Sequence, residues 1–320
     1  MAEIAGLVMP FFGLIFIGYL VARINPQPAA ALGWLNVFII YVALPALFFK
    51  LIAQTPIEEL TRIDFIVVNL AATYTIFILV FVIGRWIRKN TIADSTIQGL
   101  AGAYGNIGYM GPGLALLAFG ERAAVPVALI FCFENIVHFT VAPAMMALGG
   151  DDKRSVRALT RDIARKILLH PFIISTAVGV VAALFEFQAP LPLQRLIDYL
   201  AQAAAPCALF AMGVTLALRP IKRIPAEITY IVPMKLLLLP LVMYVYLSLA
   251  GNFDPVWVFT AILMSSLPTA TNVFVIGQQY GVWQERASAT ILITTTLSVL
   301  TVSTMLYLIK SGLLPADLFP

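Results

Sequence analysis

Two short polar interruptions in otherwise apolar stretches contain the residues best suited to binding a small molecule. The first holds Asn106, Gly108, Tyr109, Gly111 and Pro112, and the second holds Pro268, Thr269, Thr271 and Asn272. Asparagine amides and threonine hydroxyls donate hydrogen bonds without carrying charge. Helix starts created by such interruptions would add backbone amides and a positive dipole end. This combination favours the binding of a carboxylate.

The first interruption is rich in glycine. Glycines occupy every third position from Gly99 to Gly111, which leaves one helix face without side chains, and Pro112 follows. We expect the helix to break between Asn106 and Pro112, because proline removes a backbone donor. Glycines at this spacing are also typical of close helix packing in membranes. That alternative does not explain why proline and asparagine recur in the second interruption.

Three further polar residues, Glu134, Asn135 and His138, lie within a single apolar stretch. Glu134 and His138 are four residues apart and therefore share a helix face. Ionisable side chains inside a membrane normally face a cavity or a partner, and a carboxyl with a histidine suits a proton relay. The alternative is a buried pair that ties helices together. Lys235 is interpreted either as a side chain that snorkels to the interface or as compensation for an anionic substrate.

Membrane helices must position these residues. Of the 320 residues, 61% are hydrophobic and 11% are charged, whereas a soluble domain has about 25% charged residues. This composition excludes a soluble globule and a disordered chain. Ten stretches approach the ~20 apolar residues that one crossing needs. They cover residues 4–22, 32–49, 65–84, 95–120, 123–148, 167–185, 199–218, 228–250, 256–280 and 287–309.

Lysine and arginine are distributed unevenly between the two sides of this arrangement. Connections after odd-numbered stretches contain fourteen of them, and the opposite connections contain four. The positive-inside rule therefore predicts a multi-pass protein of the plasma (inner) membrane with both termini extracytoplasmic. Membrane topology explains the excess of lysine and arginine, so no nucleic-acid partner is expected. Residues 151–166 are interpreted either as an amphipathic helix at the inner surface or as a solvated linker.

Short motifs recur at a constant offset of 161 residues. The pairs are Pro10 with Pro171, Pro45 with Pro206, and Gly120 with Gly281. We therefore predict a first five-helix repeat at 1–149, a cytoplasmic linker at 150–166 and a second, inverted repeat at 167–320, all in one membrane domain. Inverted repeats are a recurrent plan of secondary transporters. Chance matches among segments rich in proline, alanine and phenylalanine are the alternative.

The sequence resembles the auxin efflux carrier family, which includes plant auxin carriers and bacterial malate and malonate carriers. The resemblance rests on the ten stretches, on Asn106-Ile-Gly-Tyr-Met-Gly-Pro, and on Pro268-x-x-x-Asn272. It implies a fold similar to the bile-acid sodium symporters, with a scaffold of stretches 1, 2, 6 and 7 and with stretches 4 and 9 crossing as broken helices. It also implies that Asn106 and Asn272 lie beside the substrate carboxylate. One departure is Gly111-Pro112, where family members usually have a residue between glycine and proline.

We therefore predict an all-α integral membrane protein that transports small organic anions, such as malate, malonate or auxin-like acids, by alternating access. A membrane-embedded enzyme and a non-transporting sensor are the alternatives. The enzyme is disfavoured because the sequence lacks the common metalloprotease, hydrolase and phosphate-loop motifs. No cofactor is expected, the metal content is left open, and a proton or sodium ion is the candidate coupling ion. The expected partners are the anion, the lipid bilayer and, as a candidate, a second copy of the chain in a homodimer.

Overall fold

The computed structural model describes residues 2–149, 161, 164–165, 168–218, 224–251 and 253–319. Twelve helices account for most of them: α1 (Ala2–Ile24), α2 (Ala30–Ala53), α3 (Glu58–Ile87), α4 (Ile92–Ala103), α5 (Gly111–Phe119), α6 (Glu121–Leu148), α7 (Pro171–Leu184), α8 (Leu191–Leu218), α9 (Ile228–Ala250), α10 (Pro255–Ser265), α11 (Thr271–Tyr280) and α12 (Gln284–Lys310). The described residues contain no β-strand, only an isolated antiparallel bridge between Gly105 and Thr269. Almost all of the connection at 151–166 lies outside the described residues.

Six of these helices are long and apolar enough to cross a bilayer, namely α2, α3, α6, α8, α9 and α12. They expose large apolar side chains: Trp34 of α2 is 84% exposed and Tyr199 of α8 is 72% exposed. Extensive exposed apolar surface marks contact with lipid, because exposing it to water is unfavourable. The prediction of an all-helical, multi-pass membrane protein is therefore confirmed.

Helix ends differ from the predicted stretches where charged residues extend a helix. Helix α9 coincides with the predicted 228–250, whereas α8 begins at Leu191, eight residues before the predicted 199. The added segment contains Asp198, whose carboxylate pairs with the ammonium of Lys50 at 2.8 Å. A search for uncharged runs stops at this aspartate, although the helix continues past it.

The chain forms two compact units. Unit 1 comprises Met1–Ile63, Gly108–Cys132 and Leu168–Pro220, and unit 2 comprises Asp64–Ile107, Phe133–Ile167 and Ile221–Pro320. Helices α1, α2, α5, α7 and α8 belong to unit 1, whereas α4 and α9 to α12 belong to unit 2. Unit 1 thus contains the stretches that the resemblance assigns to the scaffold, together with α5.

In unit 1, α1 and α8 approach each other closely through two glycines. A β-carbon at Gly213 would lie 1.9 Å from the carbonyl oxygen of Ile15, and one at Gly18 would lie 2.2 Å from that of Phe210. Because the obstructing atoms belong to the backbone, they cannot rotate away. Only glycine permits this contact, as at other small-residue interfaces in membranes.

Replacing Gly213 with alanine is expected to force α1 and α8 apart and to destabilise the protein by about 1–3 kcal/mol. The measurement is the thermal unfolding midpoint of the purified protein in detergent. Gly13→Ala is the matched control, because nothing lies within 4 Å of a β-carbon at Gly13 on α1. Equal midpoints for Gly213→Ala and wild type would contradict the contact.

Candidate functional site

Both predicted interruptions are present as gaps between helices. Helix α4 ends at Ala103 and α5 begins at Gly111, while α10 ends at Ser265 and α11 begins at Thr271. The first gap begins earlier than the predicted break at Asn106, and Pro112 lies in the first turn of α5 instead of in the gap. Proline is tolerated there because the first turn has no helical acceptor for its missing N–H.

The two gaps form hydrogen bonds with each other within unit 2. The N–H of Asn106 donates to the carbonyl of Pro268 at 2.8 Å, and the N–H of Ala270 donates to the carbonyl of Tyr104 at 2.9 Å. An unpaired backbone group inside a membrane costs several kcal/mol. Each interruption therefore supplies partners that the other needs.

We call the two hydrogen-bonded gaps the crossing. Thr269 connects this crossing to two helices. Its hydroxyl donates to the carbonyl of Ala101 at 2.7 Å, and its N–H donates to the hydroxyl of Thr294 at 3.2 Å. Thr269 is completely buried. Its hydroxyl proton is thus bonded to the protein backbone, so this predicted site residue holds α4 and α12 at the crossing.

Thr271 and Asn272 are the first two residues of α11. The hydroxyl of Thr271 is buried and has no hydrogen-bond partner within the described part of the chain. The Nδ2 of Asn272 donates to the hydroxyl of Tyr104 at 2.7 Å. The first N–H groups of a helix lack partners within the helix and form its positive end. This end of α11 therefore places polar groups beside the crossing.

Lys235 is completely buried and lies in a π-helical turn, Met234–Leu238, within α9. Its Nζ donates to the carbonyl of Ser265 at 2.7 Å. A β-carbon added at Gly105 would lie 3.4 Å from the same Nζ, so the ammonium is close to the first gap. The interpretation that Lys235 snorkels to the interface is wrong. The break leaves carbonyls at the end of α10 without helical partners, and the ammonium binds one of them.

Tyr104 joins the crossing to α6. Its side chain is 1% exposed, and its hydroxyl donates to Oδ1 of Asn135 while accepting from Asn272. Its ring lies against that of His138, with 4.1 Å between the ring centroids. Tyr104 is not among the predicted site residues. Its position at the edge of an interruption was the available signal, because a buried tyrosine usually needs a partner for its hydroxyl.

The ionisable residues of α6 are bound to α3. The hydroxyl of Thr73 donates to Oε1 of Glu134 at 2.7 Å, and the hydroxyl of Tyr74 lies 2.9 Å from Nδ1 of His138. Glu134 Oε2 and His138 Nε2 are 3.9 Å apart, beyond hydrogen-bond distance. The two side chains thus lie near each other, as their spacing predicts. Thr73 and Tyr74 were missed, although adjacent hydroxyls in an apolar stretch are a recognisable signal.

Comparison with known proteins assigns the chain to a family. A family model described as a membrane transport protein matches residues 4–148 and 132–306. The chain belongs to the membrane transport protein family. This is the auxin efflux carrier-like group that the motifs around Asn106 and Asn272 indicated.

Relatives of this transporter are known from bacteria and archaea. A protein of Rhizobium meliloti (strain 1021) named "Putative malonate transporter" is 71% identical over 320 residues, which is 100% of both chains. An uncharacterized transporter of Methanocaldococcus jannaschii is 25% identical over 84% of this chain and 87% of its own. The uncharacterized transporter YfdV of Escherichia coli (strain K12) is 22% identical over 89% and 91%. The chain is therefore a membrane transporter and not an enzyme.

Two glycines of the first predicted interruption serve helix packing. A β-carbon at Gly99 would lie 2.9 Å from the ring of Phe77, and one at Gly102 would lie 2.7 Å from Val80. The packing alternative thus holds for these two glycines, which lie against α3. The break begins only after them.

The other predicted site residues, Gly108, Tyr109, Gly111 and Pro112, belong to unit 1. A β-carbon at Gly108 would lie 3.0 Å from the ring of Phe131. Gly111 and Pro112 are buried and form the start of α5. A role for these four residues in substrate binding stays a prediction.

Proposed function

We propose that this transporter carries small organic anions, mono- or dicarboxylates, across the bacterial inner membrane by alternating access. The observation that supports this most strongly is the pairing of two helix breaks in unit 2 with the buried ammonium of Lys235 beside them. A charge buried in a membrane protein usually marks a substrate or ion pathway. A positive charge with uncharged donors around it favours an anion.

The donors near the crossing suit carboxylate oxygens. Asn272 has two amide protons, and Tyr104 accepts one of them. Lys235 has three ammonium protons, and Ser265 accepts one. The hydroxyl of Thr271 adds a buried donor without a hydrogen-bond partner in the described part of the chain. Because these donors belong to three separate side chains, we propose a dicarboxylate as the preferred substrate. The name of the Rhizobium meliloti relative makes malonate the first candidate.

The proposal includes the finer architecture. Ten membrane-spanning segments would form two inverted repeats of five, in one membrane domain with both termini extracytoplasmic. The constant offset of 161 residues supports this arrangement, since it carries Asn106 to Leu267, within the second gap. The hydrogen-bonded gaps thus occupy equivalent places in the two halves, as inverted-repeat transporters require.

Uptake by reconstituted vesicles tests the proposal. Purified protein in proteoliposomes should accumulate labelled malonate or malate, and unlabelled anion inside should accelerate entry by counterflow. A panel of mono- and dicarboxylates would establish the preferred substrate. Saturable binding without counterflow would instead indicate a sensor. Uptake of none of the panel by folded protein would overturn the proposed substrate class.

For coupling, we propose that Glu134 and His138 take up and release protons and that Asn135, next to Glu134 in α6, belongs to the same polar group. Glu134→Gln removes the ionisable group and keeps an acceptor for Thr73. Uptake by this variant is expected to become independent of an imposed proton gradient. Glu121→Gln is the control, because Glu121 is exposed at the start of the same helix. Gradient-driven uptake that survives Glu134→Gln would contradict the relay, and a sodium gradient tested in parallel would reveal sodium coupling.

A further inference from the structure

We propose that the hydroxyl of Tyr104 links the N-terminus of α11, where Asn272 lies, to the ionisable residues of α6. Through this link, a change at Glu134 alters the affinity for the anion by acting on Asn272. The inference rests on the proposed function and makes Tyr104 a positioning residue. It concerns side chains that lie together in unit 2.

The backbone of Tyr104 is held on both sides. Its N–H donates to the carbonyl of Leu100 at 2.7 Å, the last such bond of α4, and its carbonyl accepts from the N–H of Ala270 at 2.9 Å. The side chain is 1% exposed, so it is confined as well. The phenol therefore has a defined position, with its backbone at the start of the first gap and its hydroxyl bonded to α11 and α6.

The hydrogen bonds of this phenol have a fixed direction. A tyrosine hydroxyl has one proton, and here it goes to Oδ1 of Asn135. Its oxygen accepts the proton that Nδ2 of Asn272 donates at 2.7 Å. The bonds thus run from Asn272 to Tyr104 to Asn135. This chain orients the carboxamide of Asn272, because its nitrogen must face the phenol.

The other end of the chain reaches the ionisable residues by direct contact. Asn135 follows Glu134 in α6, and the ring of Tyr104 lies at 30° to that of His138 with 4.1 Å between the centroids. His138 Nε2 is 3.9 Å from Glu134 Oε2. A change in the charge or position of Glu134 therefore acts on groups that touch Tyr104.

Networks of shared hydrogen bonds transmit such changes, and a double-mutant cycle measures the transmission. The cycle combines Tyr104→Phe with Glu134→Gln and measures the malonate Kd of purified full-length protein by calorimetry. Phenylalanine keeps the ring against His138 and removes both hydrogen bonds. The factor by which Glu134→Gln changes Kd in wild type is expected to shrink at least about threefold in the Tyr104→Phe background.

Tyr246→Phe is the matched control. The hydroxyl of Tyr246, also in unit 2, lies 3.1 Å from that of Thr75, which is not a member of the chain from Asn272 to Asn135. Its combination with Glu134→Gln is expected to be additive. A purely structural loss at Tyr104 would lower the thermal midpoint and leave the two Kd effects additive. Asn135→Ala breaks the chain at its other end and should reproduce the loss of coupling if Tyr104→Phe does not fold.

Each outcome of the cycle decides the inference. Additive effects of Tyr104→Phe and Glu134→Gln on Kd would overturn it. An unchanged Kd in the Glu134→Gln single variant would overturn it as well. The Kd measurement on the wild-type protein comes first and shows whether the protein binds any carboxylate in the panel. Binding of none of them would overturn the proposed function itself and remove the basis for the link.

Discussion

Replacing Asn272 with alanine is expected to weaken malonate binding by about 10- to 100-fold, because a hydrogen bond to a charged group contributes about 1.5–3 kcal/mol. Asn272→Asp should weaken it further, since a second carboxylate would then face the substrate. The measurement is the Kd of purified protein, with the thermal midpoint recorded for each variant.

A buried asparagine elsewhere in unit 2 provides the control for this experiment. Asn69 is 2% exposed, and its Nδ2 lies 3.5 Å from the sulfur of Met243, a weak partner. Asn69→Ala should therefore leave Kd within about twofold of wild type, a difference of about 0.4 kcal/mol in binding free energy. Asn106→Ala tests the other asparagine, because the backbone bond of Asn106 to Pro268 survives side-chain removal. Wild-type affinity in both crossing variants would contradict the proposed site.

Removing the charge of Lys235 is the second change with a large expected effect. Lys235→Met keeps a flexible side chain of similar length but leaves the carbonyl of Ser265 without its bond. In the proposed complex the ammonium pairs with a substrate carboxylate. Truncating one partner of a buried, hydrogen-bonded charge pair costs about 2–5 kcal/mol of binding free energy, so malonate affinity should fall at least about 30-fold. Radiolabelled binding to detergent-solubilised protein would measure it.

A second variant separates the charge of Lys235 from its hydrogen bond. Lys235→Gln keeps an N–H donor for Ser265 and lacks the charge. We expect it to restore stability relative to Lys235→Met without restoring malonate affinity. Lys50→Met is the control, because Lys50 pairs with Asp198 in unit 1 and should leave affinity unchanged. Wild-type affinity in Lys235→Gln would assign Lys235 to helix capping alone.

Local patterns predicted those features that depend on one helix or one gap. Proline and glycine grouped with polar residues disfavour a continuous helix, so the two gaps were found to within a few residues, whereas a lone proline such as Pro10 lies inside its helix. Spacing of four residues placed Glu134 and His138 on one face, as the structure has them. The start of α8 was misplaced because a helix continues through charged residues once they have partners.

Composition and local spacing, taken alone, determined that the chain is a helical membrane protein with two polar breaks in its helices. Only the tertiary structure decided that Lys235 binds the end of α10, that Thr269 holds two helices, and that Tyr104 joins the crossing to α6. The reason is physical. Residues 30 apart, such as Lys235 and Ser265, or 168 apart, such as Tyr104 and Asn272, meet only when helices pack. Helical periodicity specifies which face a residue occupies, but not which helix that face meets.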